Sequence, residues 1–276
     1  MFKQLNKPLI MGILNATPDS FSDGGKFNQR DSALQHALQM IAEGASIIDI
    51  GGESTRPNSD PVTEEEQIRR VTPIIKAIRE YSDVLISIDT TSSDVARAAL
   101  NNGANIINDV SAGQNDTQMF PIAAQKNVPI ILMHAQGTPK TMQDNPYYEN
   151  VVQEVIADLT QRTIQAMKAG IKKENIVLDV GIGFGKRKED NLNLLAHLAE
   201  VVALGFPVLL GTSRKRFMGV ICDVKFPEEL VTATAVTTAL GVMSGVHLFR
   251  VHDVKENKQA LEVAWAIKTL SSRQVE

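Results

Sequence analysis

The sequence predicts one (β/α)8 barrel, an α/β fold, over residues 1–276, and three patterns indicate it. Eight short apolar segments recur, about one every 34 residues, which is close to the length of a strand–helix unit. None of these segments alternates apolar with polar residues, so each is typical of a strand buried on both faces of a parallel sheet. Five glycines lie between a helical stretch and a strand, where a left-handed residue commonly ends a helix: Gly44, Gly103, Gly170, Gly205 and Gly245.

We predict the eight strands at residues 8–15, 46–50, 84–89, 105–109, 129–133, 176–179, 207–210 and 246–251. A parallel sheet that is buried on both faces forms either a closed barrel or an open, doubly wound sheet. Eight units of similar length favour the barrel, and the doubly wound sheet remains the alternative.

Helical spacing fills the intervals between these strands. Apolar residues recur on one face over residues 31–43 and again over 63–80. Ser92 or Ser93 is a suitable N-cap for a third helix, and another helix is expected over 151–169. The first two of the following loops are long for strand-to-helix connections and have the composition of moving lids. The predicted loops are 16–30, 51–62 and 136–150.

Composition excludes several classes of protein. Lys and Arg number 28 against 32 Asp and Glu, a net charge of −4, so binding to nucleic acid or anionic lipid is not expected. Apolar residues make up 43% of the chain, which argues for a packed core and against disorder. Cys222 is the single cysteine, and the apolar run at 8–14 is too short for a signal peptide or a membrane span. These features predict a soluble, cytoplasmic protein.

Polar residues stand at the carboxyl end of every predicted strand. In a barrel these ends share one rim, where active sites are built. The opposite ends begin with uncharged residues, so the asymmetry predicts a site at the carboxyl rim. The rim residues are Asn15, Asp49, Glu53, Asp89, Asn108, Asp109, His134, Asp179, Ser213, Arg214, Lys215, Arg250 and His252.

The polar residues of the rim and its loops form two chemical sets. Asp89, Asn108 and Asp179 suit the donor-rich edge of a flat heterocycle. The other set is cationic or polar and suits an anion with several oxygens, such as diphosphate. Asn15 and Asp23 are candidate Mg²⁺ ligands beside such an anion, whereas a zinc site is not expected. The anion set is Arg56, Arg214, Lys215, Arg250 and His252, with Asn15 and Thr55.

A glycine-rich segment, GIGFG at 181–185, follows the sixth strand. It does not match the dinucleotide-binding fingerprint, because the charged run KRKED at 186–190 separates it from a helix. Its glycines instead suit a backbone that approaches a flat ligand closely. Phe184 is then a stacking or gating ring, or else a core aromatic.

Eight segments resemble the dihydropteroate synthase family, in order and at every strand end. They are LNATPDSFSDGG at 14–25, DIGGESTRP at 49–57, SIDT at 87–90, INDVS at 107–111, LMHAQGTP at 132–139, DVGIGFGK at 179–186, GTSRK at 211–215 and RVHD at 250–253. The resemblance implies a pterin-binding (β/α)8 barrel that joins 6-hydroxymethyl-7,8-dihydropterin diphosphate to p-aminobenzoate in folate biosynthesis. It also implies Mg²⁺ as cofactor and a homodimer as the assembly.

The resemblance assigns roles position by position. The pterin positions are Asp89, Asn108, Asp179 and Lys215, with Met133 as an apolar wall and Gly183 as a further substrate-binding residue. The diphosphate and Mg²⁺ positions are Asn15, Thr55, Arg56, Arg250 and His252, with Asn15 as metal ligand. The positions near p-aminobenzoate are Phe21, Pro57, Phe184 and Ser213, with Asp23 on the first long loop. The residues with implied catalytic roles are Asp23, Arg56, Lys215, Arg250 and His252.

One departure concerns the carboxylate of p-aminobenzoate. Arg216 stands where many members of the family have a serine that helps to anchor this carboxylate. The expected anchor here is Arg216 itself or backbone N–H groups at the start of the following helix.

An aromatic amine attacks without first losing a proton, so a strong general base would add little. We therefore expect a dissociative substitution, in which Mg²⁺, Arg56, Arg250 and His252 offset the charge on the departing diphosphate. Two other functions share parts of this pattern. A pterin-binding methyltransferase domain would not need the anion set, and a non-catalytic pterin-binding paralogue would have lost parts of it.

Overall fold

The computed structural model describes residues 2, 7–16, 26–53, 61–137, 141–142 and 144–273. Eight parallel strands pair in chain order and close on themselves, β1 with β8. This confirms the barrel and excludes the doubly wound sheet. The predicted strand bounds agree with the observed ones to within two residues. The strands are β1 (Leu9–Asn15), β2 (Ile47–Gly51), β3 (Leu85–Asp89), β4 (Ile106–Asp109), β5 (Ile130–Met133), β6 (Ile176–Asp179), β7 (Val208–Leu210) and β8 (Leu248–Val251).

Ten α-helices lie within the described residues. They are α1 (Lys26–Ala42), α2 (Glu64–Tyr81), α3 (Ser93–Asn101), α4 (Met119–Lys126), α5 (Val151–Lys168), α6 (Lys188–Ala196), α7 (Leu198–Val202), α8 (Arg216–Cys222), α9 (Val231–Ser244) and α10 (Val254–Arg273). None of these helices is both long enough and apolar enough to cross a bilayer.

Local chemistry sets the ends of several helices. The side chain of Thr63 accepts from the backbone N–H of Glu66 and begins α2, and Ser92 accepts from Val95 at 3.3 Å and begins α3. Asn150 caps α5 in the same way. The five glycines predicted to end helices all have φ between +75° and +110°, the left-handed region that favours glycine.

Two sequence-based boundaries were wrong. The loop predicted at 16–30 is too long, because α1 already begins at Lys26. The first residues of α1, KFNQR, have no apolar spacing from which a helix start can be read. The charged run at 186–190 is not a spacer either, since α6 begins at Lys188 and Asp190 accepts from the backbone N–H of Arg187 at its start.

One end of the barrel interior is closed by apolar side chains. These side chains form a cluster of their own, separate from the larger core between the strands and the surrounding helices. Side chains alternate between the two faces of a strand, so residues two or four positions further along each strand face the same interior. We call this cluster the floor. It consists of Phe2, Met11, Ile47, Ile106, Ile131, Val177, Leu209 and Leu248.

Candidate active site

The inward-facing positions beyond the floor carry most of the polar residues predicted for the site. Counting by twos from the floor residues, and on β3 from Leu85, which packs against them, reaches a polar side chain on six strands and Met133 on β5. We call the open end of the interior the mouth. The residues reached in this way are Asn15, Asp49, Asp89, Asn108, Met133, Asp179 and Arg250.

The same alternation removes two rim residues from the mouth. Asp109 and His134 lie at odd positions relative to the floor residues Ile106 and Ile131. Asp109 accepts from the backbone N–H groups of Ser111 and Gly113 and so stabilises the turn after β4. The expectation that every strand delivers a polar side chain to the site is therefore too broad.

Arg250 links two carboxylates in the mouth. Its Nε lies 2.6 Å from Oδ2 of Asp49, and its Nη2 lies 2.7 Å from Oδ2 of Asp89. Asn108 donates from Nδ2 to the same oxygen of Asp49 at 3.1 Å. Arg250 of the anion set therefore contacts Asp89 of the set that suits the heterocycle, so the two sets are not separate in the structure.

Asp49 is the central residue of this arrangement, and the sequence analysis did not assign it a role. Its side chain is completely buried. Its position four residues before Glu53, inside an apolar strand, gave no reason to rank it above the other rim residues. The usable signal was the alternation from Ile47, which places Asp49 and not Ile48 or Ile50 inside the barrel.

Three buried polar atoms of the mouth have no hydrogen-bond partner among the described residues. They are Oδ1 of Asp49, Oγ of Ser87 and Oδ1 of Asp89. Leaving a buried polar atom without a partner costs about 1–3 kcal/mol. A ligand with N–H donors would satisfy them, so this part of the mouth is suited to a nitrogen-rich group.

The same burial perturbs the carboxyl groups. Burial raises the pKa of Asp89 to about 7, against the opposing charge of Arg250, and the negative charge of Asp49 adds to the rise. Burial also acts to lower the pKa of Arg250, but Asp49 and Asp89 hold it above its ordinary value. Arg250 is therefore a permanent cation, whereas the charge of Asp89 depends on its surroundings near neutral pH.

Asp179 and Arg250 lie on either side of Gly211. A Cβ atom placed on Gly211 would be 3.9 Å from Cβ of Arg250 and 3.9 Å from Oδ2 of Asp179. Burial raises the pKa of Asp179 to about 6, although its Oδ1 accepts from the backbone N–H of Gly181 at 2.8 Å. These two residues therefore lie close together at the mouth.

Lys215 lies over the ring of Phe184, with 4.2 Å between its Nζ and the ring centroid. Burial lowers the pKa of Lys215 to about 8, and the positive charge of Arg250 acts in the same direction. Gly183 stands beside it, since a Cβ there would be 3.1 Å from Cδ of Lys215. Lys215, Gly183 and Phe184 thus form one wall of the mouth, a cation over an aromatic face.

Ser213 and His252 are joined at the ends of β7 and β8. Oγ of Ser213 lies 2.9 Å from Nδ1 of His252 and accepts from the backbone N–H of His252. Arg214 does not belong to the anion set, because both oxygens of Asp253 engage its guanidinium in a forked pair. Arg216 is exposed at the first residue of the seven-residue helix α8.

Five predicted site residues lie outside the described residues. They belong to the two long loops of the rim and are Phe21, Asp23, Thr55, Arg56 and Pro57. Asn15 is described, and its half-buried amide ends β1 at the mouth. No group of three or more His, Cys, Asp or Glu suited to a metal occurs in the described part of the chain. The amide oxygen of Asn15 is an oxygen ligand of the kind that Mg²⁺ takes.

Comparison with known proteins places the chain among enzymes that bind pterins. The family model described as "Pterin binding enzyme" matches residues 11–252. The chain is 47% identical to the dihydropteroate synthase of Haemophilus influenzae over 259 residues, 94% of each chain.

Two solved structures of Xanthomonas albilineans dihydropteroate synthase have the same fold. The complex with 4-aminobenzoic acid matches with a TM-score of 0.90 at 42% identity, over 95% of this chain and 94% of that one. The complex with 7,8-dihydropteroate matches with a TM-score of 0.86 at 39% identity over the same shares.

Proposed function

The chain belongs to the dihydropteroate synthase family of pterin-binding enzymes, and we infer that it is a transferase of folate biosynthesis. It joins 6-hydroxymethyl-7,8-dihydropterin diphosphate to p-aminobenzoate, and it releases 7,8-dihydropteroate and diphosphate. Relatives that cover nearly the whole chain carry this activity in their name, and one solved relative holds 7,8-dihydropteroate.

The observation that best supports this function is the presence, in the mouth, of buried acceptor atoms that have no hydrogen-bond donor among the described residues. Buried Oδ1 atoms of Asp49 and Asp89 lie without partners, among the described residues, beside the partly buried Arg250. A pterin presents N–H donors along one edge and carries its diphosphate at the other end. Such a ligand supplies donors to the carboxylates and an anion to the cations of the same cavity.

We assign the pterin to the inner residues of the mouth. Asp179 faces its 2-amino and N3 edge, because an ionised carboxylate accepts two parallel N–H groups. Asn108, which has both a donor and an acceptor, reads adjoining atoms, and Asp89 and Lys215 complete the polar contacts. Met133 supplies an apolar surface for the flat ring.

The leaving diphosphate belongs with the cations at the edge of the mouth. Arg250 and His252, together with Thr55 and Arg56 on the second long loop, offset the negative charge that grows as the C–O bond breaks. Asn15 is the candidate ligand for Mg²⁺, with Asp23 beside it on the first long loop. When bound, Mg²⁺ supplies Lewis-acid stabilisation of the diphosphate oxygens.

We place p-aminobenzoate beside Phe184 and Ser213, with Phe21 and Pro57 from the two long loops. Its amine needs no base before attack, because an aromatic amine is neutral at physiological pH. Two histidines flank this region, and each already has a partner. His252 bonds to Ser213, and His134 accepts from Lys186. A mechanism without a histidine base accords with these contacts.

One assay tests this function against its alternatives. A dihydropteroate synthase releases diphosphate and forms dihydropteroate when p-aminobenzoate is present. A methyltransferase domain or a non-catalytic pterin-binding protein forms no dihydropteroate. Absence of this product from the assay would therefore refute the proposal. Chelation of divalent ions is expected to stop product formation nearly completely and to leave the melting temperature unchanged, since the described fold uses no metal cluster.

We further propose that the chain forms a cytoplasmic homodimer through α9 and α10. These helices pack together and leave large apolar side chains exposed on their outer faces. A second copy would bury these side chains. The change of Leu240 and Ile267 to Lys is expected to convert a dimer to a monomer in light scattering, whereas a wild-type monomer would contradict the proposal. The exposed residues are Val236, Leu240, Met243, Val263, Ile267 and Leu270.

A further inference from the structure

Lys186 is a buried cation that the proposed reaction does not use. It is only 3% exposed, and its Nζ lies 2.9 Å from Nδ1 of His134, 2.9 Å from the carbonyl of Gly181 and 3.0 Å from that of Phe184. The carbonyl of His134 lies further away, at 3.3 Å, so the three N–H donors of the ammonium face four acceptors. No carboxylate among the described residues forms an ion pair with it, although a buried charge usually has one. The side chain therefore contacts three backbone carbonyls, two of them in the 181–185 segment, and the imidazole of His134.

The geometry determines the state of His134. An ammonium has no acceptor, so while Lys186 is charged its contact with Nδ1 leaves that nitrogen without a proton, and the neutral ring then carries its proton on Nε2. Burial, assisted by the charge of Lys186, lowers the pKa of His134 to about 3. Burial also lowers the pKa of Lys186 to about 7, with the negative charge of Asp179 opposing it most strongly. His134 is thus an acceptor and takes no part in proton transfer.

The segment from Gly181 to Gly185 is held at several points from the side away from the mouth. Besides the two carbonyls that Lys186 takes, Oη of Tyr148 donates to the carbonyl of Gly185 at 2.8 Å. Oδ1 of Asn191 accepts from the N–H of Gly183 at 2.7 Å. A Cβ on Gly181 would lie 1.9 Å from the carbonyl oxygen of His134, so the backbone passes where only glycine fits.

The other side of this segment forms part of the mouth. The N–H of Gly181 donates to Asp179, and the ring of Phe184 lies under Nζ of Lys215. A shift of the segment would therefore move the ring of Phe184, beside which p-aminobenzoate is placed. Lys186 bonds to residues on either side of Phe184 and is the single side chain, among those described, that holds two carbonyls of the segment.

We propose that Lys186 is a positioning residue, which ties the 181–185 segment to His134 and thereby sets Phe184 against Lys215 for p-aminobenzoate. This proposal rests on the proposed function, because it assigns that wall to the amine substrate. Its main consequence concerns the amine, since the pterin also has contacts from Asp89 and Asn108, which lie on β3 and β4. Misplacement of a binding group by about 1 Å is sufficient to reduce rates up to about 10²-fold.

The kinetic test compares Lys186→Met with Lys188→Met. Methionine keeps the length of the buried side chain and removes its donors, and Lys188 is a half-exposed lysine two residues away. In Lys186→Met, the KM for p-aminobenzoate is expected to rise at least about tenfold, while the KM for the pterin diphosphate rises much less. Lys188→Met should match the wild type. KM does not depend on the folded fraction of the enzyme, so equal KM values in all three proteins would overturn the proposal.

A nitrogen-15 NMR spectrum of the histidine rings gives a second readout that needs no variant. The wild-type protein should show His134 neutral at pH 7 with its proton on Nε2, and protonated Nδ1 would overturn the proposal even if Lys186→Met fails to fold. In Lys186→Met the pKa of His134 should rise, because a nearby positive charge is gone. A wild-type enzyme that makes no dihydropteroate would refute the proposed function, while this spectrum would still test the contact.

Discussion

The two ends of the barrel interior are built from the same strands and differ in chemistry. The floor consists of apolar side chains, all of them fully buried and packed on one another. Two or four residues further along each strand, the mouth carries carboxylates, an amide and a guanidinium, and some of their buried atoms lack partners among the described residues. The floor therefore contributes mainly to stability, and the mouth presents polar atoms that a ligand could bind. Ile47 and Asp49, on one strand, represent the two ends.

Arg250→Ala should have the largest effect on catalysis. Its loss removes a permanent cation from the leaving diphosphate and leaves Asp49 and Asp89 without their shared partner. We expect kcat to fall about 10²- to 10³-fold and pterin affinity to fall less, measured by steady-state kinetics and pterin titration. Arg97→Ala, at an exposed arginine, is the control. Equal losses in kcat and pterin affinity would argue against the assigned role.

Ile47→Ala should damage stability and spare the site. Removing a fully buried floor side chain is expected to lower the free energy of unfolding by about 2–5 kcal/mol. Denaturant unfolding measures this loss, and the KM values of the folded enzyme should stay unchanged. Changed KM values would show that the floor and the mouth are not separate.

Asp49→Asn tests the same strand at the mouth. The amide keeps the shape but weakens the bonds that orient Arg250 and Asn108. We expect kcat/KM to fall about tenfold or more, with little loss in denaturant unfolding. If Asp49→Asn has the kcat/KM of the wild type, Asp49 has no role in orienting the site.

The pH dependence should have opposite signs for binding and for stability. Ionised Asp89 and Asp179 accept the donors of the pterin, and burial raises their pKa values to about 7 and about 6. Pterin affinity should therefore weaken as the pH falls from about 8 to about 5, by up to about tenfold per unit for each group.

Since the folded pKa of Asp179 lies above its unfolded value of 3.8, the ionisation of Asp179 lowers the stability of the folded protein. The stability of the wild type should therefore fall relative to that of Asp179→Asn as the pH rises from about 4 to about 6, between the unfolded and the folded pKa of Asp179.

Most of the fold is readable from the sequence, because strands buried on both faces leave continuous apolar runs. The N-terminal turn of α1 is not readable in this way, since its residues are polar. Polar strand ends located the mouth, but position along the chain alone did not separate Asp49 from Asp109. The distinction needs the two-residue alternation of a strand, counted from an apolar neighbour inside the barrel.

Lys186 shows a different limit. In the sequence it belongs to a run of charges, KRKED, and such runs are usually exposed to solvent. Its burial depends on how the 181–185 segment turns back over β5 and β6, which is a tertiary contact with no local pattern. Arg214 is the converse case, because its ion pair with Asp253 spans 39 positions of the chain.

Titration of the pterin diphosphate into Asp179→Asn, alongside thermal unfolding of the same protein, tests most directly whether the mouth binds by its buried acceptors. An amide places a donor against the donor edge of the pterin, so affinity should fall at least about 10²-fold. The melting temperature at neutral pH should equal or exceed that of the wild type, because a buried charge has been removed. Unchanged affinity for the pterin would contradict the assignment of Asp179 and of the cavity it shares with Arg250.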